Sequence, residues 1–198
     1  MAKKIALFGG SFNPPGMHHL NIVYSLMDWF DVVYVVPCGD DRPDKSAVGS
    51  VSSEYRRAMA FLAFDGISQR VIVDDSDLVH RAYTRTYELQ ARYAREGEVW
   101  HAVGADIVRG GARGRSQIHE IWMRGAVLWR AFNFAVFSRA GYPIDKADLP
   151  PKHMHFPGQL SGASSDIRTM IAQGKPIDGL VPRQVEVFIR MNKLYQNG

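Results

Sequence analysis

Two adjacent histidines, His18 and His19, close a glycine- and proline-rich stretch that reads Phe8-Gly9-Gly10-Ser11-Phe12-Asn13-Pro14-Pro15-Gly16-Met17-His18-His19. Glycines directly after a strand let backbone N–H groups come close to an anion, and a helix beginning there adds the positive end of its dipole. Imidazole donors in the first helical turn suit phosphate oxygens. The chemistry these residue types fit is phosphate binding; a tight turn with surface histidines is the plainer alternative. The loop is neither the Gly-Lys-Ser/Thr phosphate loop nor the G-x-G-x-x-G dinucleotide turn. A second cluster, Ser164-Ser165-Asp166-Ile167-Arg168, sets two hydroxyls and a cation at an expected helix start. There the serines would cap the helix and donate to phosphate. Lys45 is a loop cation, placed either to meet an incoming phosphate or to stay solvated. Asp106, just past Gly104, would accept from a ribose hydroxyl or cap a helix.

Other reactive types carry weaker signals. Cys38 has nothing basic clearly placed to activate it and reads as inert. His153 and His155 flank Met154 in an expected loop without a third ligand in spacing, so no metal site is expected. Trp29, Trp100 and Trp129 read as core.

The elements that must position these groups alternate. Apolar or β-branched runs at 5–8, 32–36, 71–73, 99–103 and 134–137 read as strands. Helical periodicity marks 17–30, 53–64, 85–95, 118–128, 165–173 and 181–193. Strand–helix alternation with short connections predicts parallel βαβ units in one doubly wound α/β sheet. Long irregular segments are expected around 37–52 and 139–163. In open sheets of this kind ligands bind outside the carboxyl ends of the strands, and Gly9, Pro37, Gly104 and Arg139 fall at such ends.

Bulk properties narrow the setting. At 198 residues, 46% hydrophobic and 22% charged, the chain suits one well-buried domain over residues 1–198 and excludes wholesale disorder. No apolar run approaches a membrane span. A single cysteine and a start without a signal-peptide pattern lead to the expectation of a cytoplasmic protein. The net charge of +4 is spread along the chain and has no Lys/Arg run, which suits a polyanionic small substrate as well as nucleic acid.

Gly10, Ser11, Phe12, Asn13, Pro14 and His19 fall on the pattern G-[ST]-F-[DN]-P-x-H-x-G-H. The chain thereby resembles the nucleotidyltransferase superfamily, and most closely by pattern its nicotinate and nicotinamide mononucleotide adenylyltransferases. Two positions depart: Gly16 stands where the pattern has its first histidine, and His18 where it has glycine. In the family both histidines serve the triphosphate, so half of that pair is displaced or missing here. The resemblance continues through Pro43 and Lys45, which match a Pro-His-Lys pattern whose histidine is Asp44. It takes in Arg56 with Met59, Thr86 with Leu89, and Gly104-Ala105-Asp106 as a Gly-x-Asp. Trp122 followed by Ser138-Arg139-Ala140-Gly141-Tyr142 resembles the family's Trp, strand, then Arg-Pro-Gly-Tyr. Ser164 to Arg168 resembles its second signature, Ser-[ST]-x-x-[IV]-Arg, and the ending from Val181-Pro182 to Leu194-Tyr195 is similar to the bacterial nicotinate branch. Nearly the whole chain is covered, with an insertion around Arg109 to Ser116.

The resemblance implies a Rossmann-like, doubly wound parallel sheet with helices on both faces. It implies AMP transfer from ATP to nicotinate or nicotinamide mononucleotide, with release of pyrophosphate, in NAD biosynthesis. Catalytic roles would fall to His18, His19, Arg168 and Lys45. ATP contacts would come from Gly9, Gly10, Ser11, Phe12, Gly104, Asp106, Ser164 and Ser165, and mononucleotide contacts from Asn13, Arg56, Thr86, Trp122 and Arg139. Trp122 would stack on the pyridine ring, although an aromatic in an amphipathic helix packs into a core more often. Mg2+ is expected with the phosphates of ATP, held largely by phosphate and water. No nucleic-acid or membrane partner is expected, and a homo-oligomer is left open. Three alternatives stay open: a nucleotide-binding relative without catalysis, which Gly16 favours; a pantetheine-phosphate adenylyltransferase or cytidylyltransferase, which the 122–142 segment and the ending disfavour; and a nucleic-acid module, in which the two signatures have no role.

Overall fold

The computed structural model describes residues 2–39, 51–160 and 162–196. Among them six strands form one sheet: β1 (Lys4–Gly10), β2 (Val32–Pro37), β3 (Val71–Val73), β4 (Glu98–Gly104), β5 (Asn133–Arg139) and β6 (His153–Leu160). Their order is β3-β2-β1-β4-β5-β6. The register sets Lys4 beside Glu98 and Trp100 beside Asn133, and the pairings β1–β4, β4–β5 and β5–β6 are parallel. This is the Rossmann-like order, in which the chain winds outward from β1, returns to the other side of it and winds outward again. The helices are α1 (Met17–Met27), α2 (Ser53–Phe64), α3 (Ser76–Val79), α4 (Thr86–Tyr93), α5 (Ala105–Val108), α6 (Gln117–Glu120), α7 (Gly125–Ala131), α8 (Ser164–Ala172) and α9 (Arg183–Met191). No helix among the described residues is long and apolar enough to cross a membrane.

The chain falls into two compact units and passes between them inside β1, α1 and β2, and again ahead of α4 and ahead of α8. The first unit comprises Met1–Phe8, Ser25–Tyr34 and Thr84–Ser161. Its core gathers Val103, Val108, Ile118, Leu128, Trp129, Phe134 and Val136, with a smaller cluster of Ile5, Leu7, Tyr93 and Val99. The second unit comprises Gly9–Tyr24, Val35–Tyr83 and Gly162–Gly198. There Phe12, Met59 and Phe64 are fully buried, each worth roughly 1.5–3 kcal/mol against exposure.

Three expectations need correction. The helix expected at 118–128 is broken into α6 and α7. Arg124 takes φ 63°, and a Cβ on Gly125 would stand 1.8 Å from the carbonyl oxygen of Ile118. Residues 153–160 are a strand, not a loop, so His153 and His155 lie on β6. Pro157 and Gly158 hide this in the sequence, but an edge strand has one side on which no ladder N–H is needed. Trp29 is not core: it is 61% exposed and meets the Phe156 ring edge-on at 6.4 Å.

Candidate functional site

The loop after β1 belongs wholly to the second unit. Gly10 accepts from Cys38 N–H at 2.9 Å as the chain leaves the sheet. Phe12 then takes φ 45°, a left-handed conformation costly for an aromatic residue, and is only 1% exposed. Its ring is held edge-on between Phe64 at 5.1 Å and His19 at 5.0 Å. Strain kept by packing in this way is characteristic of ligand-handling loops.

Helix α1 starts on Gly16, whose carbonyl accepts from His19 N–H at 2.9 Å. In return, Gly16 N–H donates to His19 Nδ1 at 3.0 Å. The pair reproduces the reciprocal logic of a capping box, with an imidazole in place of the usual carboxylate. It also fixes the tautomer: Nδ1 accepts, so the ring proton sits on Nε2 as a donor.

The position of His18 bears on the Gly16 departure. The helix has begun by Met17, so adjacent side chains start out about 100° apart. The two imidazoles nevertheless lie with centroids 3.9 Å apart, tilted by 41°. The reason is the missing side chain at position 16. A Cβ there would stand 2.6 Å from His18 Cε1 and 2.7 Å from its Nδ1, so the ring fills space that any other residue would claim. Gly162 borders the same ring, its hypothetical Cβ 3.2 Å from His18 Nδ1.

Four side chains from distant parts of the second unit hold the loop. Arg56, 3% exposed, donates from Nη1 to Ser11 O at 3.2 Å and to Cys38 O at 2.6 Å. Ser164 Oγ donates to Pro14 O at 2.8 Å, and Arg168 Nη1 to Asn13 O at 2.8 Å. Tyr195 Oη donates to Asn13 Oδ1 at 2.6 Å, and burial pushes its phenol pKa above the usual range. Each donor occupies an oxygen that would repel an anion beside the loop. The expected capping role of the serines is corrected: Ala163 is the N-cap of α8, without a side-chain bond, and Ser164 is already helical. Ser165 is exposed and donates to Asp166 at 3.3 Å. Tyr195 was not legible as a site residue, because its partner is 182 positions away and only tertiary folding joins them.

The remaining described candidates, Gly9 apart, belong to the first unit. Gly104 is the N-cap of α5, and a Cβ on it would stand 2.4 Å from Asp106 Oδ1, so the carboxylate folds back over the glycine. Asp106 Oδ2 accepts from Arg139 Nη1 at 3.0 Å, and the Arg139 guanidinium lies over the Tyr142 ring at 5.6 Å. Thr86 opens α4, half-buried. Trp122 packs, partly buried, against the core of this unit. Gly9, in the second unit, is exposed, one residue before the end of β1. Lys45 lies outside the described residues. Among the described residues no group of three or more His, Cys, Asp or Glu could hold a metal ion.

Comparison with known proteins gives a consistent picture. The model of the cytidylyltransferase-like family matches residues 7–173. A Shouchella clausii protein named "Probable nicotinate-nucleotide adenylyltransferase" is 30% identical, with 98% of this chain and 97% of that protein covered. A Thermus thermophilus protein of the same name is 27% identical over 98% of this chain and all of its own length. Among solved structures, a Plasmodium falciparum nicotinic acid mononucleotide adenylyltransferase complexed with NaAD superposes with a TM-score of 0.79. It is 21% identical and covers 98% of this chain and 97% of its own, a likeness of fold.

Proposed function

The chain belongs to the cytidylyltransferase-like family, and from that premise we propose that it transfers AMP from ATP to nicotinate mononucleotide, releasing pyrophosphate, as a step of NAD biosynthesis. The observation that carries this reading is the Gly16–His19 bond at a helix start, which holds an imidazole N–H donor beside an anion-binding turn. A phosphomonoester has its second pKa near about 6, so the attacking phosphate is already a dianion at neutral pH and needs no general base. One of its oxygens attacks the α-phosphorus of ATP in line. The new P–O bond forms as the bond to the bridging oxygen breaks, and pyrophosphate leaves with that electron pair. The protein's task is to position the two substrates and offset charge.

His19 and His18 would donate to the triphosphate. Arg168, Ser164 and Arg56 would set the loop's shape through its carbonyls, with the rest of the Arg168 guanidinium near the transferring group. Gly9 to Phe12 would offer backbone donors to the phosphates and Asn13 would meet the mononucleotide. Asp106 would receive ribose hydroxyls beside Arg139, with Thr86 toward the mononucleotide, while Trp122 serves packing. ATP would enter as its Mg2+ complex, the ion supplying charge neutralisation on the phosphates. Phosphate and water would be that ion's main ligands. A cytoplasmic setting agrees with the single cysteine.

Pyrophosphate release measured with ATP, Mg2+ and a panel of nicotinate mononucleotide, nicotinamide mononucleotide and phosphopantetheine tests the reading. Turnover is expected with nicotinate mononucleotide. A folded sample that binds ATP but turns over neither pyridine nucleotide would instead support the binding protein without catalysis.

A further inference from the structure

Residues 109–116, read from the sequence as an insertion, form one wall of an open pocket of about 380 Å³ in the first unit, lined by Asp106, Arg109, Arg113, Arg115, Gln117 and Asp148. The wall is rigidly built. Gly110 takes φ 84° and Gly114 φ 66°, values that favour glycine. A Cβ on Gly111 would stand 2.4 Å from the Trp129 ring and 2.5 Å from Asp148 O. The Asp148 carboxylate accepts from Gly110 N–H at 2.9 Å and Ala112 N–H at 3.0 Å. The Gly110 N–H above all holds that carboxyl below its usual range, so it stays ionised and committed to the backbone. Asp106 is likewise committed to Arg139 at 3.0 Å.

The three guanidiniums make no such direct contact, although Arg113 and Arg109 lie near enough to Asp148 to help keep its carboxyl ionised. Among the described residues, Arg109, Arg113 and Arg115 have no side-chain hydrogen bond or ion pair at contact distance. Three like charges on one short, stiff turn repel one another, and an anion in the pocket would relieve that repulsion. A lone carboxylate engages one guanidinium fork, whereas a phosphate or diphosphate presents enough oxygens for two or three. The pocket's volume is that of a small organic ligand's site, larger than a simple ion needs. We infer that this pocket binds a phosphoryl-bearing small molecule, a phosphomonoester or a diphosphate, through Arg109, Arg113 and Arg115. The inference rests on the proposed function only in offering the mononucleotide substrate as one source of that phosphoryl group; a separate phosphorylated effector is the other.

The test titrates nicotinate mononucleotide and, separately, inorganic pyrophosphate into the full chain by calorimetry. It compares wild type, the double variant Arg113→Ala/Arg115→Ala, and Arg95→Ala/Arg183→Ala, which removes the same charge from exposed positions elsewhere. The pocket variant should lose at least tenfold in affinity for one probe, with an unchanged melting temperature, while the control stays within twofold. A loss on the mononucleotide, with its KM raised and that of ATP unchanged, identifies the substrate as the source. Loss of one pyrophosphate-binding event with both KM values unchanged identifies a separate effector. Unchanged isotherms and unchanged KM values overturn the inference. Should the double variant melt early, Arg113→Lys/Arg115→Lys keeps the charge, loses the planar fork, and should still bind at least threefold more weakly. Calorimetry needs no turnover, so an inactive enzyme would sink the proposed function and leave this test intact.

Discussion

The loop after β1 and the turn after α5 both contain glycine and both lie against arginines, supplied to the first by α2 and α8 and carried by the second itself, but these residues are used in opposite ways. In the first, Arg56 and Arg168 donate to backbone carbonyls at 2.6–3.2 Å, and a strained Phe12 is locked between two rings. In the second, the glycines are locked and the arginines line an open pocket. A cation near an anion site therefore has two distinct physical roles. It either shapes the backbone that binds, or it waits for the ligand. The first role should be felt in kcat, because a misplaced loop loses transition-state contacts; the second should be felt in binding.

The largest effects that would sharpen this contrast are expected at the two histidines. Removing one preorganised donor to developing charge typically costs about 100- to 1000-fold in kcat, so His19→Ala should fall in that range. His18→Ala should cost about tenfold, as one partly offset donor. Gly16→His in the wild-type background should be harmful, because the new side chain would meet the His18 ring 2.6 Å from its own Cβ. In the His18→Ala background the same change should partly restore activity, and in the His19→Ala background it should not. Steady-state rates of the five variants decide this. Full activity of His18→Ala would remove His18 from the mechanism and leave position 16 simply vacant.

Next comes Arg168. Arg168→Ala should lower kcat about 100-fold, the scale of one lost donor, while KM for ATP changes by no more than a few-fold. Arg168→Lys should recover part of the loss by keeping the charge and a single bond to Asn13 O, without the planar guanidinium. Loss confined to KM would place Arg168 with the pocket arginines, and the contrast between the two regions would break.

The smallest effect concerns stability, and it lies in β4 beneath the second region. His101 is buried, bonded through Nε2 to Gln90 Oε1 at 2.8 Å and stacked on Phe132 at 5.4 Å. Burial lowers its pKa to about 3. The unfolded chain then takes up a proton near about pH 6.5 while the folded one does not. Stability from this residue is complete above that pH and drains away as pH falls toward 3, at most a few kcal/mol. Melting temperature between pH 7 and pH 4.5 should fall for the wild type and fall less for His101→Leu. Equal slopes would show that His101 is not what makes this unit acid-sensitive.

The sequence by itself determined the strand–helix alternation and the two signatures, from which the proposed phosphate chemistry follows. These are local signals: β-branched runs ended by glycine or proline, a helix start marked by paired serines, and imidazoles in the first turn of a helix. It misjudged β6 because an edge strand tolerates a proline, and it misjudged Trp29 because residue type alone does not report which face meets solvent. Tertiary structure decided what each motif residue touches. Ser164 and Arg168 donate to the carbonyls of Pro14 and Asn13, Tyr195 joins them from the far end of the chain, and the His18 ring lies in the space that Gly16 leaves empty. Such contacts join residues up to 182 positions apart, and no period or spacing encodes them. They exist only once burial and backbone hydrogen bonding have fixed where the loop and its distant partners lie.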